Sequence, residues 1–216
     1  MKAPRRGFLG KLSLGMFGLV VAPRAVYALT QGNERAREVD EPWLQNLVGR
    51  HKQFFDVAAL NAGAPLTRAG NFLDVYRESY GFSDSDLSVV FGAHGSALAL
   101  VLNDDVWSRY GFGSRYALED PATKRPAARN IFSGGSTGSP FEPSVTTLQK
   151  RGVRFIACRR AIGRLSRELA SATGASAEQV RDELLAGLLP GVLPVPAMIV
   201  AANRAQEGGL TYVYLG

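Results

Sequence analysis

One cysteine, Cys158, stands where an apolar run (Val153 to Ala157) gives way to a segment of helical spacing. A thiol at the start of a helix meets the partial positive charge of the helix N-terminus, which stabilises a thiolate. Arg159 and Arg160 follow directly and add to that field if either points inward. The alternative is a buried cysteine acting as a small apolar side chain, since cysteine is among the most buried residue types. His94 ends another apolar run and is followed by Gly95; it is either a proton donor or acceptor near the thiol or a histidine tied to backbone. Asn203 and Arg204 follow a third run, where they hold a polar or anionic ligand or sit in a surface ion pair.

Other groupings do not support chemistry. Gly134-Gly135-Ser136-Thr137-Gly138 matches G-x-S-x-G, but that elbow needs a preceding strand and a later histidine. Both histidines, His51 and His94, come earlier. Gly111-Phe112-Gly113 lacks the third glycine of a dinucleotide fingerprint and follows a helical segment. Two histidines and one cysteine fall short of a structural zinc set. No metal and no cofactor is therefore expected.

The elements that position these residues alternate. Strands are read at Lys52–Ala58, Leu87–Ala93, Val153–Ala157, Val195–Val200 and Tyr212–Leu215. Helices are read at Leu66–Tyr80, stopped by Gly81, then at Ser96–Tyr110, Val145–Arg151 and Ala161–Ser171. Another runs from a Ser176/Gln179 capping box to Leu189, and a short helix or turn covers Asn203–Glu207. Strands separated by helices predict a parallel sheet of about five strands covered on both faces. Side chains at the carboxyl ends of such strands line a common crevice, so His94, Cys158 and Asn203-Arg204 are expected to converge there. Residues 111–142 break the rhythm with glycines, prolines and basic Lys124, Arg125 and Arg129. A loop that long is usually a lid, a binding loop or an oligomer contact.

The N-terminus reads as an address. Met1 to Arg6 are basic without an acid, Leu12 to Ala22 are apolar, and Val26-Tyr27-Ala28 predicts cleavage after Ala28. Arg5-Arg6-Gly7-Phe8-Leu9-Gly10-Lys11 resembles the twin-arginine consensus, and Arg24 fits that route. An ordinary export signal or an N-terminal anchor is the alternative. A twin-arginine substrate folds in the cytoplasm and is exported to the periplasm. Cleavage removes five basic and no acidic side chains from the 25 and 19 of the whole chain, leaving 20 and 19, a net of +1. The retained chain thus lacks the basic excess of a nucleic-acid binder, and no later stretch is long and apolar enough for a membrane span. Residues 29–50 read as a polar leader and residues 51–216 as one domain. A lone cysteine forms no intrachain disulfide.

The run Arg151-Gly152-Val153-Arg154-Phe155-Ile156-Ala157-Cys158-Arg159-Arg160-Ala161-Ile162 resembles the strand-to-helix junction of the DsrE/DsrF-like sulfur-relay family. The resemblance extends to Val90-Phe91-Gly92-Ala93-His94-Gly95, to Leu188-Leu189-Pro190-Gly191-Val192 and to the closing strand, covering roughly residues 50–216. The chain looks most like a twin-arginine-exported branch, which Asn203-Arg204-Ala205-Gln206 also fits. The resemblance implies a flavodoxin-like three-layer α/β fold and a homo-oligomer. It also implies a cysteine that accepts sulfane sulfur as a persulfide, with a protein sulfur donor or acceptor as partner. Only Cys158 carries over by position. Export and the long 111–142 insertion depart from the cytoplasmic relay subunits. A binding module or oligomeric scaffold that uses the same crevice without catalysis is the competing expectation.

Overall fold

The computed structural model describes residues 41–134 and 139–216. The signal segment 1–28, leader residues 29–40 and Gly135–Gly138 of the G-x-S-x-G run lie outside the described residues.

Five strands form one sheet: β1 (His51–Val57), β2 (Leu87–Ala93), β3 (Arg154–Cys158), β4 (Leu193–Val195) and β5 (Thr211–Leu215). All neighbours are parallel and the order is β4-β3-β2-β1-β5. The intervening helices are α1 (Ala64–Tyr80), α2 (Asp104–Tyr110), α3 (Phe112–Arg115), α4 (Val145–Lys150), α5 (Arg159–Thr173), α6 (Ala177–Ala186) and α7 (Met198–Glu207). A 3-10 segment covers Gly95–Val101.

The chain steps from β1 to β4 in one direction, then returns across the sheet to reach β5. Right-handed crossovers put the connections made before and after that reversal on opposite faces. Accordingly α1 lies on one face, where Phe72 meets Phe55 edge-on at 5.6 Å. On the other, α7 packs over β1, β2 and β5. The result is a flavodoxin-like three-layer sandwich. Apolar side chains fill both faces: Phe54, Val90 and Ile156 under α7, and Val89, Phe91, Phe155 and Ala157 on the opposite side.

Several local readings change. The strand expected at Val195–Val200 is the three-residue β4, because Pro194 and Pro196 leave few donors to pair. The apolar residues after it form α7, with Met198, Ala201, Ala202 and Ala205 buried at helical spacing. The helix expected at Ser96–Tyr110 is instead a 3-10 segment and then α2, whose cap is Asn103 accepting from the Val106 N–H. Ser176 caps α6 by accepting from Gln179 N–H at 3.1 Å, but the Gln179 side chain turns to Glu183 instead of closing the box. The compact unit begins at Glu41 rather than residue 51. Trp43 is buried against Phe54, and Arg154 donates to the carbonyls of Trp43, Gln45 and Asn46.

The 111–142 insertion is packed where it is described. Buried Asn130 donates to the carbonyls of Ala99, Leu100 and Leu102 and accepts from Phe132 N–H. Phe112, Ile131 and Phe132 enter the core.

Candidate functional site

In a parallel sheet, residues paired in register point to the same face, so strand parity decides which side chains meet. Asp56 pairs with Gly92 and Gly92 with Ile156; two residues along from Ile156, Cys158 pairs with Val195. Asp56, Gly92, Ile156 and Cys158 therefore face α7. Glycine at position 92 is what lets α7 close down. A Cβ there would stand 2.5 Å from Met198 Sδ and 2.9 Å from Phe54 Cζ.

Cys158 ends β3 and caps α5. Its Sγ accepts from the Ala161 N–H of α5 at 3.4 Å. It also accepts from the Met198 N–H, the first residue of α7, at 3.3 Å. Two helices leaving the sheet toward opposite faces thus point their N-termini at one sulfur. Serine, threonine, aspartate or asparagine usually fills a cap position. A neutral thiol is a weak acceptor, so these two N–H groups are best satisfied when the sulfur carries negative charge. Cys158 is 5% exposed, and what exposure it has opens into a cavity of about 660 Å³. Asp56, His94, Arg160, Arg164, Arg167, Met198, Ile199 and Val200 are among the other residues lining it.

His94 follows β2 and enters the same cavity, with its Nε2 2.8 Å from Asp56 Oδ1. The two atoms meet off the hydrogen-bond axis, and neither has another partner among the described residues. The other carboxylate oxygen, Oδ2, accepts from Tyr212 O–H at 2.7 Å. Burial raises the Asp56 carboxyl, but the polar contacts with His94 and Tyr212 and the charge of His94 outweigh it. The net effect holds Asp56 below the ordinary carboxylate value. Burial, reinforced by the Asp56 carboxylate, pushes Tyr212 up to about 12. No hydrogen bond joins the imidazole to Cys158 among the described residues; its ring faces the carboxylate.

The expected convergence is therefore partial. Cys158, His94 and Arg160 line one cavity. Gly95 turns the chain beneath it at φ +54°, where a Cβ would strike the Ala58 carbonyl oxygen at 2.4 Å. Arg159 is exposed and does not line the cavity. Asn203 and Arg204 sit well along α7, because the strand before them ends at Val195 and not Val200. Asn203 donates to Glu207, and Arg204 pairs with Glu41 and Glu207. Asp56, Arg164, Arg167 and Met198 join the site without having been singled out in the sequence. The arginines carried a signal: positions 160, 164 and 167 fall on one helical stripe. None of the described residues of the 111–142 insertion lines the cavity. No group of three or more potential metal ligands occurs among the described residues.

No protein-family model matches this chain, and no curated protein matches it. Among solved structures, it is similar to the protein of unknown function MTH1491 from Methanobacterium thermoautotrophicum. The two share 16% identity over 76% of this chain and 99% of that one, with a TM-score of 0.42.

Proposed function

We propose that the protein handles sulfur through Cys158, which accepts a sulfane sulfur as a persulfide and passes it on. The observation that carries this reading is the pair of backbone N–H groups, from Ala161 and Met198, aimed at one sulfur. Such donors favour the thiolate that attacks the sulfane sulfur. The cavity beside the thiol supplies room for a donor. Asp56, held ionised between His94 and Tyr212, keeps the imidazole oriented at the cavity wall. The junction around Cys158, similar to that of DsrE/DsrF-like proteins, supports the same chemistry. The twin-arginine-like segment supports a periplasmic location after export, and the family resemblance supports a homo-oligomer. The burial of Cys158 favours a second reading, a non-catalytic module that binds a small ligand in the same cavity.

Incubation with inorganic polysulfide followed by intact-mass and peptide analysis separates the two. The expected result is one added sulfur on Cys158 in the native protein, lost on reduction and absent in Cys158→Ser, with unchanged far-UV circular dichroism. A thiol that takes up sulfur only after unfolding would refute the sulfur-handling reading and leave the binding module.

A further inference from the structure

Three arginines of α5, Arg160, Arg164 and Arg167, line the cavity that Cys158 opens into. Like charges at this spacing on a helix repel one another, so the row opposes helix formation unless something offsets it. Several other arginines find carboxylates: Arg115 with Glu168, Arg151 with Asp74 and Asp84, Arg181 with Glu178 and Asp182. Among the described residues, no carboxylate lies within ion-pair distance of Arg160, Arg164 or Arg167. The one acid lining the cavity among the described residues, Asp56, is engaged with His94 and Tyr212.

The wall supplied by α7 has the opposite character. Ile199 and Val200, 79% and 51% exposed, present apolar side chains to the same cavity. They are apolar residues left uncovered in the first turn of the helix, facing a ligand-sized space. At about 660 Å³ that space far exceeds the needs of a small inorganic oxyanion, given that a water occupies about 30 Å³.

We propose, building on the persulfide reading of Cys158, that the sulfur donor is an amphiphilic organic anion of the thiosulfonate class. Its sulfonyl oxygens sit on the arginine row, its hydrocarbon body lies against Ile199 and Val200, and its terminal sulfane sulfur reaches Cys158. The thiolate attacks that sulfur and a new S–S bond forms on Sγ. The bond between sulfane and sulfonyl sulfurs breaks, its electron pair departing on the sulfinate. Two anions enter and two leave, a persulfide and a sulfinate, so no further oxidant or reductant is needed. The arginines offset the repulsion between an anionic nucleophile and an anionic donor, a task open to a row with no carboxylate partner among the described residues.

The test uses the full chain with and without Cys158, keeping binding separate from transfer. In Cys158→Ser, benzenesulfonate is the unreactive probe and sulfite the probe without an apolar body, both followed by calorimetry. Benzenesulfonate is expected to bind more tightly than sulfite. Arg164→Ala with Arg167→Ala should weaken it about tenfold, and the corresponding lysine pair should restore much of the loss. Ile199→Ser should weaken benzenesulfonate and leave sulfite unchanged. In the protein that retains Cys158, benzenethiosulfonate should load one sulfur and release benzenesulfinate, with a second-order rate constant that replacing Arg164 and Arg167 by alanine lowers. Binding indifferent to the arginines, or no preference for the aromatic anion, would overturn the inference even if polysulfide loads Cys158. Failure of polysulfide to load Cys158 would instead remove the persulfide reading on which the transfer step depends.

Discussion

Gly92→Ala tests whether the approach of α7 to the sheet holds the second N–H on Cys158. The added methyl would stand 2.5 Å from Met198 Sδ, 2.9 Å from Phe54 Cζ and 3.2 Å from Met198 Cε. All three atoms belong to buried side chains, so the clash is relieved by moving Met198 and, with it, the first turn of α7. Overpacking of this kind costs about 1–3 kcal/mol. Met198 N–H then moves away from Sγ, which leaves the sulfur with the Ala161 N–H as its one backbone donor. Met198→Ala alone should destabilise by about 2–5 kcal/mol, as for a buried methionine truncated to a cavity. Combined, the two changes compensate, because the methyl introduced by Gly92→Ala occupies part of the space the thioether vacates. Urea unfolding of the four proteins forms a double-mutant cycle, expected to give at least about 1 kcal/mol of favourable coupling. Sulfur loading of Cys158 should fall in Gly92→Ala and recover in the double variant. Additivity within about 0.5 kcal/mol would refute the reasoning, since contact between these two side chains would then be energetically silent.

Asn130→Ala should destabilise by about 3 kcal/mol, because Leu100 and Leu102 carbonyls and Phe132 N–H lose a buried partner. The Ala99 carbonyl keeps the indole N–H of Trp107 at 2.8 Å. A shift in urea midpoint equivalent to less than about 1 kcal/mol would show that the insertion is not anchored there. Asp56 and Tyr212 set opposite pH limbs. With the Asp56 carboxyl depressed, its contribution is present above the ordinary value of 3.8 and is lost as pH falls through the lower folded value. With Tyr212 raised from 10.0 to about 12, its contribution is full below pH 10 and is lost as pH climbs toward 12. At full strength that shift corresponds to about 3 kcal/mol, but Tyr212 is 41% exposed and screening reduces it to about 1 kcal/mol. Tyr212→Phe should flatten the alkaline limb in chemical denaturation; an unchanged limb would show that the phenol does not serve the carboxylate.

The parts of the fold legible in the sequence are those where pattern and burial agree. Leu87–Ala93 is an uninterrupted run because both faces of β2 are covered, and the sequence reading matches it residue for residue. The start of α7 was not legible in the same way. Val195-Pro196-Ala197-Met198-Ile199-Val200 is apolar throughout, and a short apolar run does not distinguish strand from helix by periodicity. Pro196 breaks the ladder, and only packing against Gly92 and Phe54 selects the helix whose N-terminus reaches Cys158. That one boundary displaced Asn203 and Arg204 from the crevice and concealed Met198.

Asp56 was missed for a different reason. Within Lys52–Ala58 it reads as one charge in a strand, and its importance depends on parity against Gly92 and, one strand further, Ile156. Parity becomes usable only once strand order and register are known, and neither is local. The strand order also accounts for the meeting of two helix ends. Because β3 connects to β4 on one face and β4 connects to β5 on the other, α5 and α7 begin beside the same sheet edge and diverge. A sequence that placed β5 beside β4 would need no reversal, and the second N-terminus would not be brought back over β2 and β1. The cysteine's surroundings are thus a consequence of topology: the local junction supplies one N–H, and the return crossover supplies the other.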